Sequence, residues 1–444
     1  MITQTEEAYM ISILRYGEIP DAEIFDRVTP QSTVSGAVAE ILAEVRAGGD
    51  AALLSCAERF DGARPEPLEI GEKELDEAIA AVSPKFLEVL ERAAENIRDF
   101  HRHQVRSSFV LNDRPGVVLG QKVLPIEKVG LMVPGGTAPL SSTVLMDAIP
   151  AKLAGCGTLV MMTPAGKTGR VHPSILAAAK VAGVDRIFQV GGAHAVAALA
   201  YGTESVPKVD KIVGPGGAFV SEAKRQVYGL VSIDMIAGPS EILVIADGGS
   251  DAKCVAADLL SQAEHDRMAS AVLVTDSLAL AKAVQAEVER QLETLPRRDI
   301  ARESIDRQGK IILTPDLDTA VQVANRLAPE HLELCVDEPF AWLDRIRNAG
   351  SVFLGRHCPE ALGDYFAGAN HTLPTSGTAR FSSPLSVDDF VKKSQFIYYT
   401  KDALAQVAED IALFAREEQL EAHARSCLVR QEPETPRTCD KSFL

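Results

Sequence analysis

Nine histidines occur in the 444 residues, and several stand beside carboxylates or amides. Gln262-Ala263-Glu264-His265 closes a stretch with helical spacing. Residues three apart share a helix face, so Gln262 and His265 can address one ligand, and imidazole with an oxygen donor is zinc-ligand chemistry. The competing reading is a polar helix end with His265 near the negative pole of the helix. Glu330-His331 follows Pro329 and leads into an apolar run, where the pair can serve as a base and a proton shuttle or stand as a solvated loop pair. Asp364 and His371 fall in an irregular stretch rich in Gly, Pro, Ser and Thr that runs to Leu385, the kind of segment that often forms a functional loop. Asp364 is a candidate carboxylate ligand and His371 a candidate substrate contact, against a turn-forming Asp and a surface His. Glu418 and His423 lie five apart on a helical stretch, and lone polar residues there are ordinarily solvated. Taken singly, none of these outweighs its ordinary structural reading.

The elements that must position these residues change in texture along the chain. Two stretches in the first hundred residues, 34–47 and 72–101, carry apolar residues at helical spacing. From about residue 128, short apolar runs alternate with amphipathic segments. The runs span 128–133, 158–163, 186–190, 211–213, 241–246, 271–275, 310–313, 332–336 and 351–354. Nearly continuous apolar strands alternating with helices imply parallel sheets covered on both faces, and nine strands fit two sheets better than one. Glycine-rich turns at Pro134-Gly135-Gly136, Gly191-Gly192 and Gly214-Pro215-Gly216-Gly217 fall between residues 130 and 240 and mark one domain there. Such turns let backbone approach a phosphate, although no Gly-x-Gly-x-x-Gly fingerprint occurs. Ala165-Gly166-Lys167-Thr168 has the tail of a Walker A motif, but Met161 replaces its first glycine, which excludes that reading. Residues 402–427 read as one long helix, and the polar tail after Arg430 as frayed.

A net charge of −17 and a pI near 5.1 argue against a general nucleic-acid binder, and no basic tract points to a membrane surface. With no apolar run of 18 residues and no signal pattern at Met1–Glu7, a cytoplasmic location is expected. Seven scattered cysteines form no Cys-x-x-Cys, so any metal here has nitrogen and oxygen ligands.

Several blocks together resemble histidinol dehydrogenases. They are Val129-Gly130-Leu131-Met132-Val133-Pro134-Gly135-Gly136, Val190-Gly191-Gly192-Ala193-His194, Asp234-Met235-Ile236-Ala237-Gly238-Pro239-Ser240-Glu241, 258–266 around Gln262 and His265, and Ala328-Pro329-Glu330-His331-Leu332. A sixth runs from Gly363 through Asn370-His371-Thr372 to Ser383, and the likeness covers about 24–430. The resemblance implies an α/β fold with two Rossmann-like parallel-sheet domains lacking the GxGxxG fingerprint, plus small N-terminal and C-terminal helical segments. The implied division is a helical arm at 1–24, a discontinuous catalytic domain at 25–131 and 241–386, an inserted NAD-side domain at 132–240 and a helical arm at 387–444 contacting a partner.

The resemblance further implies Zn2+ held by Gln262, His265, Asp364 and His423, and catalysis by Glu330 and His331. Substrate contacts would come from Ser240, Gln262, His265, His331, Asp364, His371, Glu418 and His423. The family activity is oxidation of L-histidinol to L-histidine with two NAD, in a homodimer whose partner lends Glu418 and His423. Three cofactor-side positions depart from the family pattern: Met132 stands for Tyr, His194 for Gln and Gly217 for Asn. Each change removes a hydroxyl or amide, and a lost hydrogen bond costs about 0.5–1.5 kcal/mol. Two other readings follow from these departures: a paralogue with another amino or hydroxy alcohol or altered cofactor use, and a zinc-bound imidazole-binding protein without redox activity.

Overall fold

Six parallel strands make the larger sheet, in the order Ser12–Arg15, Lys310–Leu313, Ser270–Thr275, Glu241–Ala246, His331–Cys335 and Ser351–Leu354. The structure is a computed structural model that describes residues 10–27, 33–135, 138–166 and 169–432. Side chains alternate across a strand, so a strand covered on both faces must be apolar throughout. Along Glu241–Ala246, Ile242, Val244 and Ala246 pack with helices Ala252–Ala263, Leu278–Leu292 and Arg298–Gln308. Leu243 and Ile245 pack against Leu317–Leu327 on the other side.

The second parallel sheet has the order Arg186–Phe188, Thr158–Met162, Lys128–Met132, Lys211–Val213 and Ser232–Ile233. Val129, Leu131, Leu159 and Met161 face helices Pro84–His101, Ser141–Ala154 and Pro173–Ala182. Met132, Val160, Met162 and Ile212 face Ser35–Cys56, Gly192–Tyr201 and Ala218–Val227. All nine expected strands are present, in two parallel sheets with helices on both faces. Both belong to one compact unit formed by Met1–Val105 and Pro125–Phe390.

A second unit comprises Arg106–Leu124 and Val391–Leu444. It holds a three-stranded sheet in the order Val391–Tyr399, Val117–Pro125, Phe109–Leu111, with Phe109–Leu111 antiparallel to its neighbour. Helices Lys401–Ala405, Ala408–Glu417 and Glu421–Leu428 follow, the last two packed through Ala412, Ala415 and Ala424.

Three expectations need correction. The segment 402–427 is three helices, not one: the chain turns at Val407, and Gln419 adopts φ +62° between the last two. No Gly or Pro marks these breaks, and apolar spacing persists because the helices pack on one another. The segment 1–24, expected as a helical arm, contributes the edge strand Ser12–Arg15, too short to show a period, before the short helix Asp21–Phe25 begins; residues 1–9 lie outside the described residues. The arm at 387–444 likewise contains, after a 3-10 turn at Val387–Phe390, a nine-residue strand, Val391–Tyr399, whose mixed polar sequence hides it. Part of the Walker-like tail, Lys167-Thr168, lies outside the described residues, as do Met1–Glu7, Gly136 and the tail from Pro433.

Candidate active site

Strands Glu241–Ala246 and His331–Cys335 are neighbours at the centre of the large sheet, with His331 opposite Ile242. Their shared starting edge brings Ser240, Glu330 and His331 together. Glu330 is held from below, its Oε2 accepting the Glu241 N–H at 2.9 Å. His331 Nδ1 lies 3.1 Å from the Glu241 carbonyl oxygen. A carbonyl only accepts, so this contact puts the ring proton on Nδ1 and the lone pair on Nε2. That Nε2 is buried, has no hydrogen-bond partner among the described residues, and lies 3.9 Å from Asp364 Oδ1. Burial pulls the His331 pKa down to about 4 against the opposing pull of Asp364, so the ring is a neutral base near pH 7. Burial also pushes the Glu330 carboxyl well above its ordinary range, with Glu241 and Asp364 adding repulsion.

Helix Ala252–Ala263 delivers Gln262 at its last turn and His265 just past its end, where the His265 N–H donates to the Gln262 carbonyl at 3.1 Å. Gln262 is fully buried. Its amide nitrogen belongs on the side of Glu360 Oε1, at 2.9 Å, and the Glu241 carbonyl, at 3.2 Å. The same nitrogen lies 3.1 Å from His331 Nδ1; with its two hydrogens directed to the Glu360 and Glu241 oxygens, Nδ1 keeps its own proton for the Glu241 carbonyl, and the Gln262 oxygen turns the opposite way. The six-residue helix Glu360–Tyr365 supplies Glu360 and Asp364, four apart on one face. The ligand atoms of His265, Glu360 and Asp364 all lie within 4.8 Å of one another. One imidazole, two carboxylates and an adjacent amide form a nitrogen and oxygen set suited to zinc, and the unpaired His331 Nε2 borders it. The donors present fit the expected metal.

His371 is held by its neighbours in the long loop. Asn370 Nδ2 donates to the Met146 carbonyl at 2.7 Å, and Thr372 Oγ1 bonds Asp147 Oδ1 at 3.1 Å. His371 Nδ1 lies 3.1 Å from the Asp364 carbonyl oxygen, and burial lowers its pKa.

Ser240, Gln262, His265, Glu330, His331, Asp364 and His371 line one open cleft, together with Ser142, Thr143, Gly214, Pro215, Asp234 and Tyr365. The cleft runs between the starting edge of the large sheet and the C-terminal edge of the small one. The small sheet changes direction of growth between Lys128–Met132 and Lys211–Val213, and open α/β sheets bind ligands at such a switch point. Gly214, at φ +109°, is required there, since a Cβ would stand 2.3 Å from the Met132 oxygen. The equivalent crevice of the large sheet is filled: Arg356 bonds Asp337, Ser250 and Asp247.

Ser240, Gln262, His265, Glu330, His331, Asp364 and His371 therefore meet in one cleft. Glu418 and His423 belong to the second unit, His423 on Glu421–Leu428 and Glu418 at the end of Ala408–Glu417. Of the cofactor-side residues, Met132 is buried in the core of the small sheet. His194 is also buried, and its Nε2 lies 3.2 Å from Asp61 Oδ2, which also accepts the Gly191 N–H. Gly217 starts helix Ala218–Val227, and a Cβ there would meet open space. The reading from sequence missed Glu360, whose signal was its place four residues before Asp364.

Residues 26–431 match the family model described as Histidinol dehydrogenase. A histidinol dehydrogenase of Bacillus cereus is 54% identical over 404 residues, 91% of this chain and 94% of the relative. One from Geobacillus kaustophilus is 56% identical over 396 residues, 89% and 93% of the two chains. The crystal structure of histidinol dehydrogenase from Elizabethkingia anophelis superposes with a TM-score of 0.88 at 37% identity, covering 95% of this chain and 98% of that one.

Proposed function

The chain belongs to the histidinol dehydrogenase family of oxidoreductases, and from that premise we propose that it oxidises L-histidinol to L-histidine with two NAD, through an aldehyde that stays bound. The observation that carries this reading is the buried, unpartnered Nε2 of His331 beside the His265, Glu360 and Asp364 donors. An alcohol placed at that nitrogen meets a base whose lone pair is fixed by the Glu241 carbonyl.

Zn2+ would be held by Gln262, His265 and Asp364, completed by His423 of the partner subunit. Bound there, it supplies a template for the substrate's amino and imidazole nitrogens. His331 Nε2 takes the alcohol proton as hydride leaves to NAD. Glu330 takes a proton from the water that adds to the aldehyde, and hydride loss from the resulting hydrate to a second NAD gives the carboxylate. Glu330 must be ionised for this, and a neighbouring divalent cation favours the ionised form. Holding the aldehyde bound between the two steps keeps it from being released and lost to side reactions. Ser240 and His371, with Glu418 of the partner subunit, fix the substrate's polar groups. The work belongs to the last steps of histidine biosynthesis, in the cytoplasm.

A homodimer accounts for the second unit's surface. Leu413 is 61% exposed and Phe414 69%, and Phe109, Val110, Leu111, Ile397 and Tyr398 are exposed as well. An apolar surface of this kind marks an association face.

On the cofactor side, Met132 is committed to the core and His194 to Asp61, while Gly217 has no side chain. NAD recognition there falls to backbone, at the turn 214–217 and the N–H groups opening helix Ala218–Val227. This observation keeps a second reading in play, a paralogue with another amino alcohol. The test is a panel of amino and hydroxy alcohols with NAD. Histidinol is expected to give the highest kcat/KM, and another substrate exceeding it overturns the assignment.

A further inference from the structure

Strand His331–Cys335 is buried along its whole length, yet its middle residue is a glutamate. Leu332 and Leu334 enter one apolar core, and Cys335 packs with helix Ala252–Ala263 on the opposite face. Alternation puts Glu333 on that second face with His331 and Cys335. Burying a carboxylate is costly unless every oxygen is matched. Glu333 Oε1 accepts the Glu360 N–H at 2.7 Å, and Oε2 lies 3.8 Å from Cys335 Sγ. The Asp258 carboxyl, on helix Ala252–Ala263, completes a cluster with Glu333 and Cys335 whose polar atoms all lie within 4.8 Å of one another, and burial pushes the carboxyls up, to about 6 for Asp258 and about 9 for Glu333.

The N–H that Glu333 takes opens helix Glu360–Tyr365, whose N-cap, Pro359, offers no side-chain acceptor. Without Glu333 that buried donor is an orphan. The helix carries Glu360 and Asp364, and Glu360 Oε1 in turn accepts the Gln262 amide at 2.9 Å. One side chain therefore ties the strand of His331 to the helix of Asp364, and through Asp258 and Glu360 to the helix of Gln262. Three separate segments that supply the donors converge on it.

We propose that Glu333, backed by Asp258, is a positioning residue that holds Asp364, Glu360 and Gln262 in register for the metal. This rests on the metal reading above. Glu333 touches no substrate and reaches no ligand atom; it acts through the Glu360 backbone. Partners of this kind typically change metal affinity 10- to 100-fold when removed.

The test is Zn2+ affinity of the full chain, measured by competition with a chromophoric chelator, alongside thermal unfolding. Glu333→Leu removes the acceptor and is expected to weaken Zn2+ about 10- to 100-fold. Glu333→Gln keeps an oxygen for the Glu360 N–H and offers an amide to Asp258, so affinity is expected within about threefold of the parent. Glu333→Asp, which keeps the charge but falls short by one methylene, should lie between and serves if the leucine variant does not fold. Leu334→Ala, on the opposite face of the same strand, should destabilise the fold and leave Zn2+ affinity unchanged. Equal loss of affinity in Leu334→Ala and Glu333→Leu, or parental affinity in Glu333→Leu and Glu333→Asp, overturns the positioning role. A parent chain that binds no Zn2+ overturns the metal reading and this proposal with it.

Discussion

Glu330→Gln replaces a buried carboxylate by an amide of nearly the same shape. The amide oxygen can still accept the Glu241 N–H now held at 2.9 Å, so the local backbone has no reason to move. What disappears is the ability to take a proton from water. Removing a positioned general base costs about 10²- to 10⁴-fold in rate, or about 3–5 kcal/mol of barrier. The loss should fall on oxidation of the aldehyde, assayed by NADH absorbance with the aldehyde as substrate, while bound metal stays at the parental level. Stability should change in the opposite sense. Burial raises the Glu330 pKa, so the folded state holds a proton that the unfolded chain releases above its own, ordinary value. Folding stability contributed by this group is therefore lost as pH rises from the ordinary carboxyl range towards the folded value. Glu330→Gln removes that loss, and its urea midpoint for the metal-free chain at neutral pH should exceed the parent's. The acid limb of the rate profile, set by the need to ionise Glu330, should disappear in what activity remains. An aldehyde rate within tenfold of the parent would refute the assignment of Glu330 as the base.

Three further outcomes are expected. His331→Asn should lower kcat for the alcohol step about 10²- to 10⁴-fold with metal content unchanged, checked by steady-state kinetics and metal analysis. Burial holds the His331 pKa at about 4 against an ordinary 6.5, so its stability contribution is present above 6.5 and lost as pH falls towards 4. That amounts to at most about 3 kcal/mol, and urea midpoints against pH should fall less steeply in the Asn variant. Replacing His265 or Asp364 by Ala should abolish stoichiometric Zn2+ and turnover together, read by elemental analysis and NADH formation. Phe414→Asp, on the exposed face of the second unit, should shift sedimentation from dimer to monomer and lower activity in proportion to the dimer lost.

The parallel sheets were legible because strands buried on both faces are continuous apolar runs. Glu241–Ala246 and Ser270–Thr275 could be read for that reason alone. Ser12–Arg15 and Val391–Tyr399 could not, since their edges and faces are partly exposed and polar residues interrupt them. The breaks at Val407 and Gln419 depend on how short helices pack, which local spacing does not encode. At the site, residue types pointed to Gln262, His265, Glu330 and His331, but their convergence depends on the parallel pairing of two central strands. Glu333 was passed over within the run 332–336, although an acid there, two residues from His331 on the same face, departs from an apolar strand. Glu360 carried only its helical spacing from Asp364. Its contact with Gln262 required the fold.

The central claim is that one cleft carries out two successive oxidations. Its most direct test is the NADH yield of the purified, zinc-loaded chain with limiting L-histidinol and excess NAD. Two NADH per histidinol consumed, L-histidine as product and no aldehyde trapped from solution are expected, all lost with a chelator and restored by Zn2+. One NADH per histidinol with release of the aldehyde, or no NADH at any NAD concentration, would contradict it.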